Sequence, residues 1–251
     1  MKFMKRFRLK PEIAAAVGPA PEQACPICGG QEFQDFRNRP LAQCSSCKSL
    51  ERTRLVWLVL NRQMTFRRGM KILHIAPEHC IQKQFEALSG ENYLAGDLHP
   101  ENYRGRVIKI DLTKDLDSLP MRGFHLVLHN HVLEHLPVDP IDTVKRLNTL
   151  LAPDGVQAFT VPFRGPVTRE DLSPDLSDDE RTRLFGQRDH LRLFGTRDFP
   201  EALNEAFGSR MSRTRPETLF SEEELRRAMI PERSWRRIDG TTLFMYKAGS
   251  E

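Results

Sequence analysis

No apolar run in the chain approaches the length needed to cross a bilayer, so no membrane-spanning helix is expected. Internal repeats and low-complexity tracts are also missing, which excludes solenoids and long flexible linkers. Aromatic residues make up 8% of the chain, with 3 Tyr and 2 Trp, and so sparse a set offers little stacking surface to single-stranded nucleic acid. There are too few cysteines for a disulfide framework. Four fall in two close pairs, and the fifth, Cys80, has no mate. With no address for an oxidising compartment, a cytoplasmic protein with reduced thiols is expected.

Excess charge is lacking too once the first residues are set aside. The net charge is +4, and Lys2, Lys5, Arg6, Arg8 and Lys10 stand together with no acid among them. The rest of the chain is about neutral, so no global field draws a phosphate backbone. MKFMKRFRLKPEIAAAVGPA imitates a secretion signal, but Pro11-Glu12 interrupts it and its apolar part is short and alanine-rich. Residues 1–20 read as a disordered basic tail.

What the chain does hold is Cys25-Pro-Ile-Cys28 and Cys44-Ser-Ser-Cys47, with Gly29-Gly30 directly after the first pair. Two Cys-x-x-Cys knuckles at this spacing can close a tetrahedral thiolate cage around one Zn2+. Residues 21–48 are loop-rich and carry few large apolar residues besides Phe33 and Phe36, so a metal would supply their folding free energy. No base or open coordination position is implied beside them, and the zinc is expected to be structural. Ser49 to Met64 places Leu50, Leu55, Leu58 and Val59 on one stripe, which predicts a connecting helix within 49–69.

From Gly69 onward short apolar segments alternate with helical ones. Strands are predicted at Lys71–Ala76, Tyr93–Gly96, Val107–Ile110, Phe124–His129 and Val156–Val161, and helices at about Glu78–Ser89 and Ile141–Leu151. That alternation implies a parallel sheet covered on both faces. Ala152-Pro-Asp-Gly155 reads as a tight turn into a strand. Residues 162–194 show no period and are rich in Pro, Asp and Arg, as a functional lid or binding insert would be. Helices return at Thr196–Phe207 and Ser221–Met229. Asp239-Gly240, between Trp235–Ile238 and Thr241–Lys247, predicts a closing hairpin whose last strand is antiparallel.

Lys71-Ile-Leu-His-Ile-Ala-Pro-Glu78, Tyr93-Leu-Ala-Gly-Asp97, Lys109-Ile-Asp111 and Phe124 to Leu136, ending Val-Leu-Glu-His-Leu, resemble in their order a class I S-adenosylmethionine-dependent methyltransferase. A Leu-x-Pro-x-Gly turn completes the pattern, and the likeness runs from about Lys71 to Val161. More narrowly, the chain resembles bacterial members with an N-terminal zinc ribbon and a Phe-Gly-Gln-x-Asp-His element, here Phe185 to His190.

The resemblance implies a Rossmann-like, mostly parallel seven-stranded sheet over 70–251, an S-adenosyl-L-methionine donor, and a donor site at the strand ends. Asp97 would take the ribose hydroxyls, with Leu98 beside it. Asp111 would lie near the adenine amino group, with Leu112 against the ring. The first loop is Ala76-Pro77-Glu78-His79 where the family carries glycines. Ala76 still permits close approach, and Glu78 would meet the methionine ammonium. His74, Pro77, His129 and Asn130 complete the expected donor site. His131 and His190, with Asp189 beside it, are candidate general bases. Arg164, Gln187, Asp189, His190 and Arg192 are candidate acceptor contacts, with Arg188 and Arg197 nearby, because Arg forks suit acidic groups. A salt-bridged surface is the competing reading of those arginines.

Together these imply methyl transfer to an O or N of a small or glycan-like acceptor with an acidic group. An RNA acceptor gripped by ribbon and tail is the second reading, and nucleic acid is the less favoured partner. A non-catalytic module with a lost donor site is the third. His131-Val-Leu-Glu-His135 also matches the His-x-x-Glu-His pattern of zinc peptidases. Pro137 follows too closely for a long helix, and no downstream glutamate helix is evident, so a peptidase is disfavoured. No oligomeric state is legible.

Overall fold

A computed structural model describes residues 22–249; the expected basic tail lies outside the described residues. The chain begins with a ribbon, β1 (Phe33–Phe36) paired antiparallel with β2 (Arg39–Cys44), followed by α1 (Glu51–Gln63). The alternating part follows: β3 (Ile72–Ile75), α2 (His79–Ser89), β4 (Tyr93–Asp97), β5 (Ile108–Lys109), β6 (Phe124–Asn130), α3 (Pro140–Asn148) and β7 (Leu151–Thr160). Then come β8 (Arg169–Glu170), α4 (Asp178–Phe185), β9 (Arg192–Leu193), α5 (Asp198–Phe207) and β10 (Met211–Arg213). Three short helices, α6 (Pro216–Leu219), α7 (Glu222–Arg227) and α8 (Arg233–Arg236), precede the last strand, β11 (Leu243–Lys247).

Seven strands form one mixed sheet in the order β10-β11-β7-β6-β3-β4-β5. β3, β4, β5, β6 and β7 run parallel, and β11 inserts antiparallel between β7 and β10. The period of two along the central strands builds both cores. Ile72, Leu126, Leu128, Val156 and Ala158 face α1 and α2, where Val56, Leu60, Ile81 and Phe85 meet them. Leu73, Ile75 and Val127 face the other way toward Leu147 of α3, and Phe159 and Phe244 pack with Phe199 and Leu203 of α5. Among the described residues no helix is long and apolar enough to cross a membrane.

Three expectations need correction. The closing hairpin is not built on Asp239-Gly240: β11 pairs with β10, thirty residues earlier, while Trp235 lies buried in α8. Asp239 does form a turn, accepting from Thr241 N–H at 2.8 Å, but helix rather than strand precedes it. Ala152 to Gly155 is an excursion within β7. Its register against β6 slips between Phe124↔Leu151 and Leu126↔Val156, and Asp154 takes a φ of 58°. The insert at 162–194 has its own order, with β8 and β9 pairing antiparallel around α4 and a Ser177–Glu180 capping box starting that helix.

The stripe predicted for α1 is wider than expected. Glu51, Thr53, Arg54 and Trp57 are buried along with Leu55 and Val59, whereas Leu58 is only partly so. The ribbon lies on one side of this helix and residues 225–235 on another. Arg54 joins them: its guanidinium donates to the carbonyls of Ala42, Ser49, Ala228 and Met229 at 2.6–3.0 Å. Trp57 Nε1 donates to Pro26 O at 2.9 Å, and Ala24 N–H to Arg227 O.

Candidate functional site

Chain direction across the sheet reverses between β3 and β6. From β3 the chain steps outward to β4 and β5, then returns to the other side for β6 and β7. At such a switch point the loops leaving the carboxyl ends part, and a crevice opens. Here it is a cavity of about 610 Å³. Its wall includes Ala76 after β3, Asp97 and Leu98 at the end of β4, Asp111 and Leu112 after β5, His131 and His135 after β6, and Asp189 from the insert.

Ala76 stands where backbone must pass close to any occupant. Its φ is 50°, and its N–H donates to Gly96 O at 2.9 Å. Gly96 is required by packing: a Cβ there would come within 2.1 Å of Ile110 Cδ1 and 2.6 Å of Ile110 Cγ1. That close contact sets β5 and Asp111 beside β4.

The two aspartates differ in how they are held. Asp97 accepts from His99 N–H through Oδ1 and from the Tyr103 hydroxyl through Oδ2, both at 2.8 Å. Burial, then the Asp97 bond and charge, pushes the Tyr103 phenol up, so it stays a donor. Asp111 Oδ1 accepts from Thr113 N–H at 2.9 Å and Thr113 Oγ1 at 2.6 Å, and Lys114 Nζ lies 3.2 Å from Oδ2. The Thr113 hydroxyl and N–H hold its carboxyl below the usual range. Asp111 thus shapes its own turn and lines the cavity at once.

Behind Ala76 lies a polar chain that does not reach the cavity wall. Buried His74 places Nδ1 3.0 Å from the Tyr93 hydroxyl and Nε2 3.1 Å from Glu78 Oε2, and Asn130 Nδ2 donates to Glu78 Oε1 at 3.0 Å. Burial works to raise the Glu78 carboxyl, but the bond from His74 and the charges of His74 and Arg52 outweigh it and leave it lowered. Asn130 in turn accepts from Thr160 Oγ1. Pro77 is buried. His129 is packed inside the sheet, stacked on Phe159 at 5.0 Å, and accepts at Nε2 from Gln157 at 2.8 Å. The structure brings Ala76, Asp97, Leu98, Asp111 and Leu112 to the cavity, and sets His74, Pro77, Glu78, His129 and Asn130 behind it.

His131 lines the cavity, but both ring nitrogens are taken. Nε2 donates to Gly240 O at 2.9 Å and Nδ1 lies 3.2 Å from Glu134 Oε1. A general base needs a free nitrogen facing its proton, so this geometry makes His131 a fixed wall. His190 is buried, donates from Nδ1 to Phe185 O at 3.1 Å, and turns Nε2 toward Glu134 Oε1 at 4.0 Å. Burial, opposed by Glu134 and helped by His135, lowers its pKa. It stands behind His135, whose ring it meets edge-on at 4.8 Å.

Of the expected acceptor contacts, Asp189 alone lines the cavity; Arg164, Gln187 and Arg188 are exposed, and Arg192 is buried. Arg192 Nε pairs with Glu170 and Nη1 donates to Leu133 O at 2.8 Å, which ties the insert to the turn after β6. That is a structural use of the guanidinium. Arg197 is also exposed and precedes α5.

Cys25, Cys28, Cys44 and Cys47 present their Sγ atoms within 4.8 Å of one another. Cys25 and Cys47 are 3.6 Å apart, and Cys28 and Cys44 3.7 Å. A tetrahedron of about 2.3 Å Zn–S bonds has edges of about 3.8 Å, so these two edges match a zinc site. The knuckles are alike: Gly29 N–H donates to Cys25 O and Lys48 N–H to Cys44 O, with φ of 78° at Gly29 and 62° at Lys48. The bond to Cys47, with burial, pushes the Cys25 thiol up to about 12, and burial raises Cys28, so protons stay on both until a cation displaces them. No ribbon residue lines the cavity.

Tyr103, Thr113 and Glu134 were not read as site residues. Tyr103 is an isolated aromatic in a loop, and Thr113 carried no signal beyond its spacing from Asp111. Glu134 lay in a motif weighed only for peptidase chemistry.

Neither a protein-family model nor a curated protein matches the chain. Among solved structures it is similar to the CurJ carbon methyltransferase, at 16% identity over 84% of this chain and 57% of that one, with a TM-score of 0.49. It is also similar to an S-adenosylmethionine-dependent methyltransferase from Mesorhizobium loti, at 14% identity over 77% and 97% of the two chains, TM-score 0.47. A third is 1,6-didemethyltoxoflavin-N1-methyltransferase from Burkholderia thailandensis with bound 1,6-didemethyltoxoflavin and S-adenosylhomocysteine, at 14% identity over 80% and 79%, TM-score 0.46. The chain spans little more than half of the two carbon methyltransferases that it matches. By its strand order, with one antiparallel strand next to the edge, the seven-stranded mixed sheet is Rossmann-like.

Proposed function

We propose that the protein transfers a methyl group from S-adenosyl-L-methionine to an O or N of a small or glycan-like acceptor bearing an acidic group. The observation that carries this is the 610 Å³ cavity at the switch point, with a carboxylate at the end of each of two successive strands. The donor supplies a methyl group already activated by its sulfonium. The chain's own residues therefore need to bind, orient and keep out water. Asp97 takes the ribose hydroxyls through lone pairs left over from His99 and Tyr103. Leu98, exposed at the cavity edge, and Leu112 flank the apolar part of the nucleoside. Asp111, held ionised by Thr113, accepts from the adenine amino group, while Glu78, bonded to His74 and Asn130 behind the wall, braces the loop that carries Ala76. The insert closes the acceptor side through Asp189. Cys25, Cys28, Cys44 and Cys47 hold Zn2+, which supplies folding energy to the ribbon and no catalytic step.

Titration with S-adenosylhomocysteine tests the donor site: a saturable heat that disappears in Asp97→Ala is expected. No binding at millimolar ligand would remove the reading. Transfer of a labelled methyl group into a metabolite pool, followed by mass spectrometry, then identifies the acceptor.

A further inference from the structure

We propose that Glu134, His135 and His190 form a binding site for a divalent transition-metal ion at the wall of this cavity. One ligand atom from each lies within 4.8 Å of the others. Their hydrogen bonds leave the right atoms free. His135 commits Nδ1 to Asp189 O at 3.1 Å, and His190 commits Nδ1 to Phe185 O at 3.1 Å. Each ring so held carries its proton on Nδ1 and keeps the Nε2 lone pair, the arrangement by which outer carbonyls orient metal-binding histidines. Glu134 commits Oε1 to His131, while its Oε2 and His190 Nε2 are buried atoms with no hydrogen-bond partner. Two orphaned buried acceptors in one cluster with a third free atom, His135 Nε2, are costly unless a cation joins them. Two imidazoles and a carboxylate suit zinc, iron, cobalt or nickel better than magnesium or calcium.

The three residues come from the two sequence elements left without a role, the Glu-His of the turn after β6 and the His that ends Phe185 to His190. The insert is thereby fastened to the sheet through the ion. Because His135 and Asp189 line the cavity, remaining coordination positions face it, where an acceptor oxygen can bind as a ligand. That last use, unlike the binding itself, rests on the methyl-transfer reading.

The test titrates metal-loaded full-length protein with Co2+ in visible spectroscopy. One added equivalent is expected, with weak bands from nitrogen and oxygen ligands and no thiolate charge-transfer band, since thiolate absorption would report exchange into the ribbon. His190→Gln and His135→Gln should each weaken that equivalent beyond the roughly 10- to 100-fold that loss of an outer-shell partner costs, with ribbon metal content unchanged. His135 is one-third exposed, so its variant folds even if the His190 variant does not. The proposal is overturned if the wild type takes no cobalt outside the ribbon, or if His135→Gln takes it as the wild type does. S-adenosylhomocysteine binding, measured separately on the wild type, reports on the methyl-transfer reading alone.

Discussion

Tyr103 donates its hydroxyl proton to Oδ2 of Asp97 at 2.8 Å, folding the loop after β4 back onto the end of its own strand. The carboxylate proposed to bind ribose is thus aimed before any ligand arrives. On the proposed donor site, Asp97→Ala removes the acceptor of two ligand hydrogen bonds, and a loss of at least about 100-fold in S-adenosylhomocysteine affinity is expected by calorimetry. Tyr103→Phe keeps the carboxylate but frees it to turn, for a loss of about tenfold. Zinc content should stay the same in both. Unchanged affinity in Asp97→Ala would place the donor elsewhere.

His129 gives the fold a built-in acid sensitivity. Burial, with the charge of His74 adding to it, pushes its pKa down to about 3. In the unfolded chain the same imidazole takes up a proton near pH 6.5. Below that pH the unfolded state binds a proton that the native state refuses, so stability falls as pH drops from about 6.5 toward 3. Between pH 7.5 and 5 the wild type should lose about 2 kcal/mol more than His129→Gln in urea unfolding, from about 1.4 kcal/mol per pH unit. Parallel losses would show that His129 does not carry the effect.

Gly155 closes the excursion in β7. A Cβ there would meet Phe124 O at 2.6 Å and Ala152 O at 2.8 Å, both backbone atoms of limited freedom. Gly155→Ala should cost about 1–3 kcal/mol by overpacking. By thermal melting that is a fall of about 3–10 °C. A variant that melts with the wild type would mean that the bulge yields readily.

Arg54 is the tie between ribbon, α1 and the segment after α7. Arg54→Met strands four carbonyls, two of them in the ribbon or at its end, and a loss of about 3–5 kcal/mol is expected. Arg54→Lys should fail to rescue, because one ammonium cannot reach groups set around a planar fork. Limited proteolysis between Cys47 and Glu51 would report the loosened ribbon. Full protection in Arg54→Met would show that the apolar contacts suffice.

How far these elements could be read beforehand depended on how local their causes are. The strands around Ile72, Tyr93 and Phe124 announced themselves because a buried parallel strand is a short apolar run. The four cysteines stood at a spacing that metal chemistry makes meaningful, whereas Asp97 and Asp111 were picked out at strand ends by the family resemblance. Asp239-Gly240 misled because a turn dipeptide does not say which strand lies on its far side, and β11 found its partner at Met211–Arg213. Arg54 was hidden for a different reason. On a helix it looks like any solvated arginine, and two of the four carbonyls it binds come from residues more than 170 positions away. Glu134 and His190 are likewise 56 positions apart, and only the folded insert makes them neighbours.

The placement of Arg54 also bears on the order in which the chain acquires its structure. The ribbon is synthesised well before its guanidinium clamp and the Ala24–Arg227 bond can close, since Ala228 follows Arg54 by 174 positions. Contacts of such sequence separation form late and slowly. Until then the ribbon would rest on its own contacts and on the metal proposed for its cysteines, and the sheet itself is completed only when β11, beyond α7 in the chain, inserts between β7 and β10. A nascent chain stalled before Ala228 would lack two of the four carbonyls that Arg54 binds, leaving its ribbon to swing on α1.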